Sequence, residues 1–402
     1  MPGPLEGLRV IDLTHIMAGP ACCLMLADMG ADVVKVEKFP GGDDTRRMVP
    51  PTVGDQSAAF MMMNRNKRGI ALDIKAPEGR EILTRLLEKA DVLVENFRPG
   101  TLERLGFGRA DLDRINPALI SCSLTGFGLT GPYAQRGGFD LVAQAMSGIM
   151  SVTGEGPGRP PVKTGPPVTD ITAGILAAMG ILAAYTHRLK TGKGQAVDTS
   201  LFEAGIALTY WQSAMALATG AAPTALGSAH PLTAPYQAFE AADGWLVVGG
   251  ANQTNWLRLV EVLEAPELAQ DGRFADSAAR LTHRTELEAA LTPLFHRRTV
   301  ADWLERLERI GVPAGPVNDI NRMLADPQTR ARDMVVTVEH ATQGPVQALG
   351  LPVKFSDTPG GQDRRGAPVL GQHTREVLRE LGYTDEDVDT LAEKRVVHLG
   401  DA

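Results

Sequence analysis

Cysteine is almost missing from this chain: Cys22, Cys23 and Cys122 are the only three in 402 residues. That is too few for a disulfide framework, and their spacing suits no metal centre, so all three are expected as buried reduced thiols and no metal is assigned. Blocks of basic residues are missing too. Aspartate and glutamate outnumber lysine and arginine 48 to 40, and the net charge of -8 argues against general binding to nucleic acid or to an anionic membrane. Any anion site must therefore be local. No uncharged apolar run approaches the length needed to cross a bilayer, and residues 1–7 carry neither a basic n-region nor an apolar h-region. These absences point to a soluble cytoplasmic protein.

What is present is an alternation of strand and helix patterns. Residues 8–13 form a short apolar run, Pro20 suits a first helical position, Gly30 ends that helix, and residues 32–37 make the next strand. The pattern continues with strands at 70–74, 92–95 and 119–124 and a helix over 77–90. Such alternation predicts a mostly parallel, doubly wound α/β sheet with a ligand at the carboxyl ends of its strands, a nucleotide by default. The first β-to-α connection, Thr14 to Ala21, lacks the G-x-G-x-x-G fingerprint of a dinucleotide site. Glu37, at the end of the second strand, could stand where a dehydrogenase holds its ribose, but without the fingerprint a nucleotide-dependent dehydrogenase is a remote alternative.

Past residue 170 the organisation changes. A long helix over 171–190 stops at Thr191-Gly192-Lys193-Gly194, a short strand follows at 195–199, and another apolar helix covers 200–219. Residues 220–235, rich in Gly, Ala, Pro and Thr, read as a linker into a small α/β or α+β domain. There a strand pair at 236–239 and 245–248, joined through Asp243-Gly244, precedes helices over 254–263, 286–294 and 300–310. Strand-like sequence returns at 335–338, with a polar helix at 375–381. The length exceeds what one core usually fills. The breaks predict a large domain over 1–219, a small domain with its linkers over 220–333, and a C-terminal return to the large domain over 334–402, with no internal repeat.

Asp170 stands at the most telling junction. The Pro166-Pro167 pair holds its approach extended and a long apolar helix follows, which fixes the carboxylate where loop becomes helix. Taken alone, such an aspartate reads as an N-cap that accepts the orphan N–H groups of the first turn. The same position can present a nucleophile.

Four further segments decide between these readings. They are Gly7-Leu8-Arg9-Val10-Ile11-Asp12-Leu13-Thr14 with Ala18-Gly19-Pro20; Asn64-Arg65-Asn66-Lys67-Arg68-Gly69-Ile70-Ala71-Leu72-Asp73; Ala90-Asp91-Val92-Leu93-Val94-Glu95-Asn96-Phe97-Arg98-Pro99-Gly100; and Thr191-Gly192-Lys193-Gly194-Gln195. With these in order and Asp170 between the third and fourth, the chain resembles the class III CoA-transferases, the family of formyl-CoA transferase, carnitine CoA-transferase and 2-methylacyl-CoA racemase. The resemblance covers essentially the whole length. It implies an interlocked homodimer, with a Rossmann-like large domain built from both chain ends and a small middle domain. It also implies no tightly bound cofactor, coenzyme A being the carried part of the substrate. Asp170 becomes the catalytic nucleophile, which takes the acyl group and then CoA before a free acid, a dicarboxylate by the overall pattern, collects it.

Carried over residue by residue, Lys38 follows the second strand, Leu72, Asp73, Ile74 and Lys75 line the adenine, Asn96, Phe97 and Arg98 hold pantetheine and phosphates, and Arg104 pairs with pyrophosphate. His15, Met17 and Ala18 lie in the loop facing the CoA, and Arg136, Phe139 and Asp140 lie near the thioester. Met17 replaces a glutamine of formyl-CoA transferase. The run of glycines in that enzyme's lid is reduced here to Gly220 and Gly227, which argues against oxalate and formyl-CoA. Donors for the oxyanion are left between the segment Gly227-Ser228-Ala229-His230 and the helix start after Asp170. His15 or His230 could orient an acceptor. The racemase branch is the alternative, but it needs a His before Asp140 to work opposite Asp170, and Phe139 stands there.

Overall fold

The computed structural model describes residues 3–360 and 365–400. The first two residues of the N-terminal segment read above, and residues 361–364 and 401–402 of the C-terminal return, lie outside the described residues. The chain divides into two compact units, one of residues 1–148, 164–208 and 327–402 and one of residues 149–163 and 209–326. The helix expected over 200–219 is two helices, Leu201–Ala207 and Tyr210–Thr219. The second of them groups with the second unit rather than the first.

In the first unit six strands run parallel, in the order Arg68–Leu72, Asp32–Lys38, Arg9–Asp12, Val92–Glu95, Ile120–Thr125 and Ala196–Ser200. A short strand, Val397–His398, pairs antiparallel with the outer edge of Arg68–Leu72. Five of these strands are largely buried on both sides because both sides are covered, and Ala196–Ser200 at the edge is not. Val10 belongs to a core with the Ala18–Asp28 and Val168–Thr191 helices, while its neighbour Ile11 belongs to a core with the Pro77–Glu88 helix and Val377, Leu378 and Val388. Burial of each such side chain contributes about 1.5–3 kcal/mol. Along the sheet the direction of progression reverses between Arg9–Asp12 and Val92–Glu95, and connections leave these two strands toward opposite sides. A crevice at the carboxyl ends follows from that reversal.

Two local expectations are corrected. Pro20 is the third helical residue, since the helix begins at Ala18; its missing N–H is one of the first four that no intrahelical carbonyl could have met. The Val168–Thr191 helix, 24 residues long, does reach the length and apolarity of a membrane span, contrary to the reading of the sequence. Its Ala173, Ala177, Ile181 and Ala184 are buried in the core, the small side chains allowing close packing on the Ala18–Asp28 helix.

The second unit holds a three-stranded antiparallel sheet in the order Ala314–Pro316, Gly244–Gly249, Tyr236–Ala241. The hairpin turns at Ala242-Asp243, one residue before the expected Asp243-Gly244, while the Ala-Gly-Pro strand has no β-branched or aromatic residue to announce it. Its core is aromatic: Phe239 stacks on Phe295 at 4.6 Å, and buried Trp303 donates from Nε1 to the Phe295 carbonyl at 2.7 Å.

Candidate active site

Two cavities, of about 490 and 410 Å³, open at the crevice and share His15, Phe97 and Thr101. The larger collects His15, Met17 and Ala18 from the loop after Arg9–Asp12, Asn96, Phe97 and Arg98 from the loop after Val92–Glu95, and Arg136, Phe139, Asp140 and Asp170. The smaller is lined by Lys38 and by Leu72, Asp73, Ile74 and Lys75. Of the residues singled out in the sequence, Arg104 lines neither: it ends the one-turn helix Thr101–Arg104, is exposed, and donates to Thr101 Oγ1 at 3.0 Å.

Asp170 is the third residue of its helix, and Pro167 occupies the N-cap position, so the carboxylate does not serve as the cap. One turn on, a side chain at Gly174 would bring its Cβ to 2.7 Å from the Ala18 carbonyl oxygen. The glycine lets this helix approach the start of the Ala18–Asp28 helix closely, which puts Asp170 into the cavity beside residues 15–18. No hydrogen bond or ion pair among the described residues engages its carboxylate. Burial, with the negative charge of Asp140 adding to it, pushes the Asp170 carboxyl up to about 7.

Asp140 is held where it can exert that effect. It accepts from the Thr169 N–H at 3.0 Å, from Thr169 Oγ1 at 2.7 Å and from Gln144 Nε2 at 2.7 Å. Gln144 Oε1 in turn accepts from the Thr164 N–H at 3.0 Å and from its hydroxyl at 3.1 Å. The segment leading to Asp140 crosses Gly126 with Gly138 above it; a Cβ on Gly138 would lie 2.4 Å from the Gly126 Cα. Neither Thr169 nor Gln144 was legible as a site residue, because nothing in the spacing of short polar side chains marks which carboxylate they will meet.

The loop of residues 14–17 is anchored from beneath by charges in the sheet. Asp12 accepts from the Thr14 N–H at 2.9 Å, from its hydroxyl at 2.5 Å, and from Lys67 Nζ at 2.9 Å. Lys35 Nζ donates to the Thr14 carbonyl at 2.8 Å and pairs with Asp43 at 2.9 Å. Asp43 Oδ1 accepts from the Ile16 N–H at 3.2 Å. From the side, Asn96 Oδ1 accepts from the His15 N–H at 2.9 Å while Asn96 Nδ2 donates to the His15 carbonyl at 2.8 Å. Asp12, Lys35 and Lys67 are fully buried. Burial pushes Asp12 up, but Lys67 and Lys35 outweigh it and hold the carboxyl below its ordinary value. Lys35, a charge in the middle of an apolar strand, was the signal in the sequence for this network.

Charge in the smaller cavity is largely committed. Lys38 pairs with Asp44 at 2.6 Å, both well exposed. Glu37 receives Arg46 at 2.7 and 2.6 Å and the Asp43 N–H at 2.9 Å, so it is not available to a ribose hydroxyl and the dehydrogenase reading loses its one residue. Lys75 is exposed, and Leu72 and Ile74 with Leu13 and Val36 give the cavity an apolar wall. At the partition His15 and Phe97 lie 5.8 Å apart, and burial lowers the imidazole below its ordinary value, so it is neutral at pH 7. The Gly227-Ser228-Ala229-His230 segment belongs to the second unit. There Ser228 Oγ accepts from the Ala238 N–H at 3.0 Å and His230 stacks on Tyr236 at 5.2 Å.

Residues 5–374 match CoA-transferase family III. The succinate–glutarate CoA-transferase of Agrobacterium fabrum is 41% identical over 384 residues, covering 94% of this chain and 96% of that protein. The succinyl-CoA:glutarate CoA-transferase of Homo sapiens is 39% identical over 395 residues, covering 98% and 90%. The acetyl-CoA:oxalate CoA-transferase of Acetobacter aceti is 40% identical over 379 residues, covering 94% and 96%. Among solved structures, a CaiB/BaiF family protein from Brucella suis superposes with a TM-score of 0.85 at 42% identity, covering 95% of this chain and all of that one. An unpaired carboxylate in a cavity at the strand reversal, and a match that runs nearly from end to end, lead to one assignment: the chain belongs to CoA-transferase family III and is a CoA-transferase.

Proposed function

We propose that the protein transfers CoA from an acyl-CoA thioester to a free dicarboxylate by way of a thioester on Asp170. The observation that carries this is the Asp170 carboxylate, unpaired, half-buried and facing the larger cavity. Asp170 attacks the acyl carbonyl carbon, the C–S bond breaks, and CoA leaves as thiolate, with a mixed anhydride remaining. The thiolate then attacks the aspartyl carbonyl of that anhydride and releases the donor acid. The acceptor carboxylate repeats the two steps in reverse, so the acid leaves as its CoA thioester and Asp170 returns as carboxylate. Desolvation makes the carboxylate a stronger nucleophile than in water. The N–H groups at the start of the Ala18–Asp28 helix, whose N-cap residue Met17 makes no side-chain cap, join those of the helix start after Asp170 as donors for the oxyanion.

The Rossmann-like strand order suits the nucleotide of CoA. We place the adenine against Leu72 and Ile74 in the smaller cavity, with Lys75 and Lys38 at its mouth and the pantetheine passing His15 and Phe97 toward Asp170. Arg104 would have to leave Thr101 to reach a phosphate. Arg98 and Arg136 are the cations of the larger cavity and suit the far carboxylate of a diacid. Succinate and glutarate are the first acids to test; the oxalate relative keeps oxalate among them, although the sparse glycines argued against it. The interlocked homodimer of the family is supported in each unit by uncovered apolar side chains, Met179 and Leu189 in the first and Tyr210 and Leu217 in the second. A soluble cytoplasmic enzyme fits this plan. Proton abstraction of the racemase kind lacks its second carrier at Phe139.

Two measurements test the reading. Enzyme mixed with succinyl-CoA and no acceptor is expected to accumulate the aspartyl-CoA thioester; hydroxylamine should convert it to a hydroxamate within the tryptic peptide 164–188. Labelling elsewhere, or none, overturns the assignment. Because the nucleophile must be ionised and its carboxyl sits at about 7, kcat/KM for acyl-CoA should rise with pH, from about one tenth of its plateau at pH 6. A flat profile between pH 5.5 and 8 would count against Asp170 as the attacking group.

A further inference from the structure

Ile16 has a φ of 69°, in the left-handed region, where a β-branched residue is strained. It sits between His15 and Met17 in the loop that walls the Asp170 cavity. Such a conformation persists only where its surroundings over-determine it; besides the Asp12 bonds to Thr14 and the Asn96 bonds to His15, two more do so here: the Ile16 N–H donates to Asp43 Oδ1 at 3.2 Å, and the Thr14 carbonyl accepts from Lys35 Nζ at 2.8 Å. The two anchoring side chains form an ion pair of 2.9 Å with side-chain exposures of 0% and 1%. Asp43 is itself fixed by the Thr45 N–H and hydroxyl at 2.9 and 2.8 Å.

We propose that the buried Lys35–Asp43 pair is a positioning device that clamps Ile16 in its left-handed turn and thereby sets the start of the Ala18–Asp28 helix against the nucleophile. An isolated buried pair of this kind is a poor source of stability, since desolvation offsets most of the attraction. Here it acts at a distance from the chemistry, through one backbone N–H and one carbonyl. Without the clamp, Ile16 relaxes to negative φ, His15 and Met17 shift, and the reacting centre loses its alignment. A glycine at position 16 takes up the same φ without a clamp.

The test rests on the CoA-transfer reading and is separable from it, because it begins only once the wild type transfers CoA. Lys35→Met/Asp43→Ala removes the pair without leaving one charge buried alone. It is expected to lower kcat by about 100-fold, the cost of a misplaced reacting group, with a smaller change in KM for acyl-CoA. Adding Ile16→Gly is expected to recover about ten-fold of that loss, since glycine removes the need for the clamp. Loss confined to KM, wild-type kcat, or no recovery on adding Ile16→Gly overturns the proposal. If the pair variant does not fold, Ile16→Gly is expected to restore folding, and failure to do so overturns it as well.

Discussion

Asp170→Ala is expected to lower kcat by about 10⁴-fold or more while leaving the fold intact, because a residue that bears the acyl group and then CoA has no understudy. The carboxyl contributes no hydrogen bond or ion pair to the described structure, so its removal breaks nothing. Its effect on stability even has the opposite sign. Burial and Asp140 raise the folded carboxyl from 3.8 to about 7. A group raised in this way favours the fold most below its unfolded value, and that contribution is lost as pH rises through about 7. At pH 8 the ionised carboxylate therefore costs the fold on the order of 1–4 kcal/mol, and Asp170→Ala should unfold at a higher denaturant concentration than the wild type. A folded variant with near-normal turnover, or one destabilised at pH 8, would contradict this account.

Lys67→Met should have the largest effect on stability. Lys67 Nζ donates to Asp12, to Asn64 Oδ1 at 2.9 Å and to the Pro20 carbonyl at 3.1 Å, and the lysine and aspartate are both sealed from solvent. Removing the cation leaves Asp12 buried with its hydrogen bonds from Thr14 but without its nearest counter-charge, at a cost of about 3–5 kcal/mol. The pH dependence gives the cause away. In the wild type Asp12 is held low, so it adds stability above about 3.8 that is lost on acidification through its folded value. In Lys67→Met burial acts with less opposition, the carboxyl rises, and the deficit should grow from pH 5 to pH 8. Urea unfolding at the two pH values reads it out, and a loss below about 1 kcal/mol at both would show that the pair is dispensable.

Most of the sheet was legible because its strands are buried on both faces and carry continuous apolar runs that no helix signal contradicts, as in Val10-Ile11 and Val33-Val34. The Ala314–Pro316 strand was not, since its pairing comes from tertiary neighbours rather than from its residues. The start of the Asp170 helix moved three residues toward the N-terminus because Val168, Thr169 and Asp170 join it: Thr169 turns its hydroxyl and N–H to Asp140, a contact 29 residues away that no local pattern predicts. The two cavities contain every residue singled out except Arg104 and the Gly227-Ser228-Ala229-His230 segment. Those residues came from motif segments that follow strands, where chain direction alone puts them at one edge. What escaped was the support beneath them, Asp43, Thr169 and Gln144, Lys35 alone being marked by its charge inside an apolar strand. A supporting side chain is defined by what it touches in space, and its spacing along the chain carries no mark of that.

The pairing of Val397–His398 with Arg68–Leu72 has a bearing on how the protein is made. By the time residue 72 has left the ribosome, an apolar strand edge is available, and its antiparallel cover is synthesised more than 300 residues later. Throughout the intervening translation the growing chain presents bare N–H and C=O groups along that edge, the feature through which strands of different molecules join. Arg68, which at maturity collects Asp32, Glu376 and Glu380, stands on this edge, a cation whose C-terminal partners also arrive late. Until they do, its charge is a gatekeeper against neighbouring nascent chains.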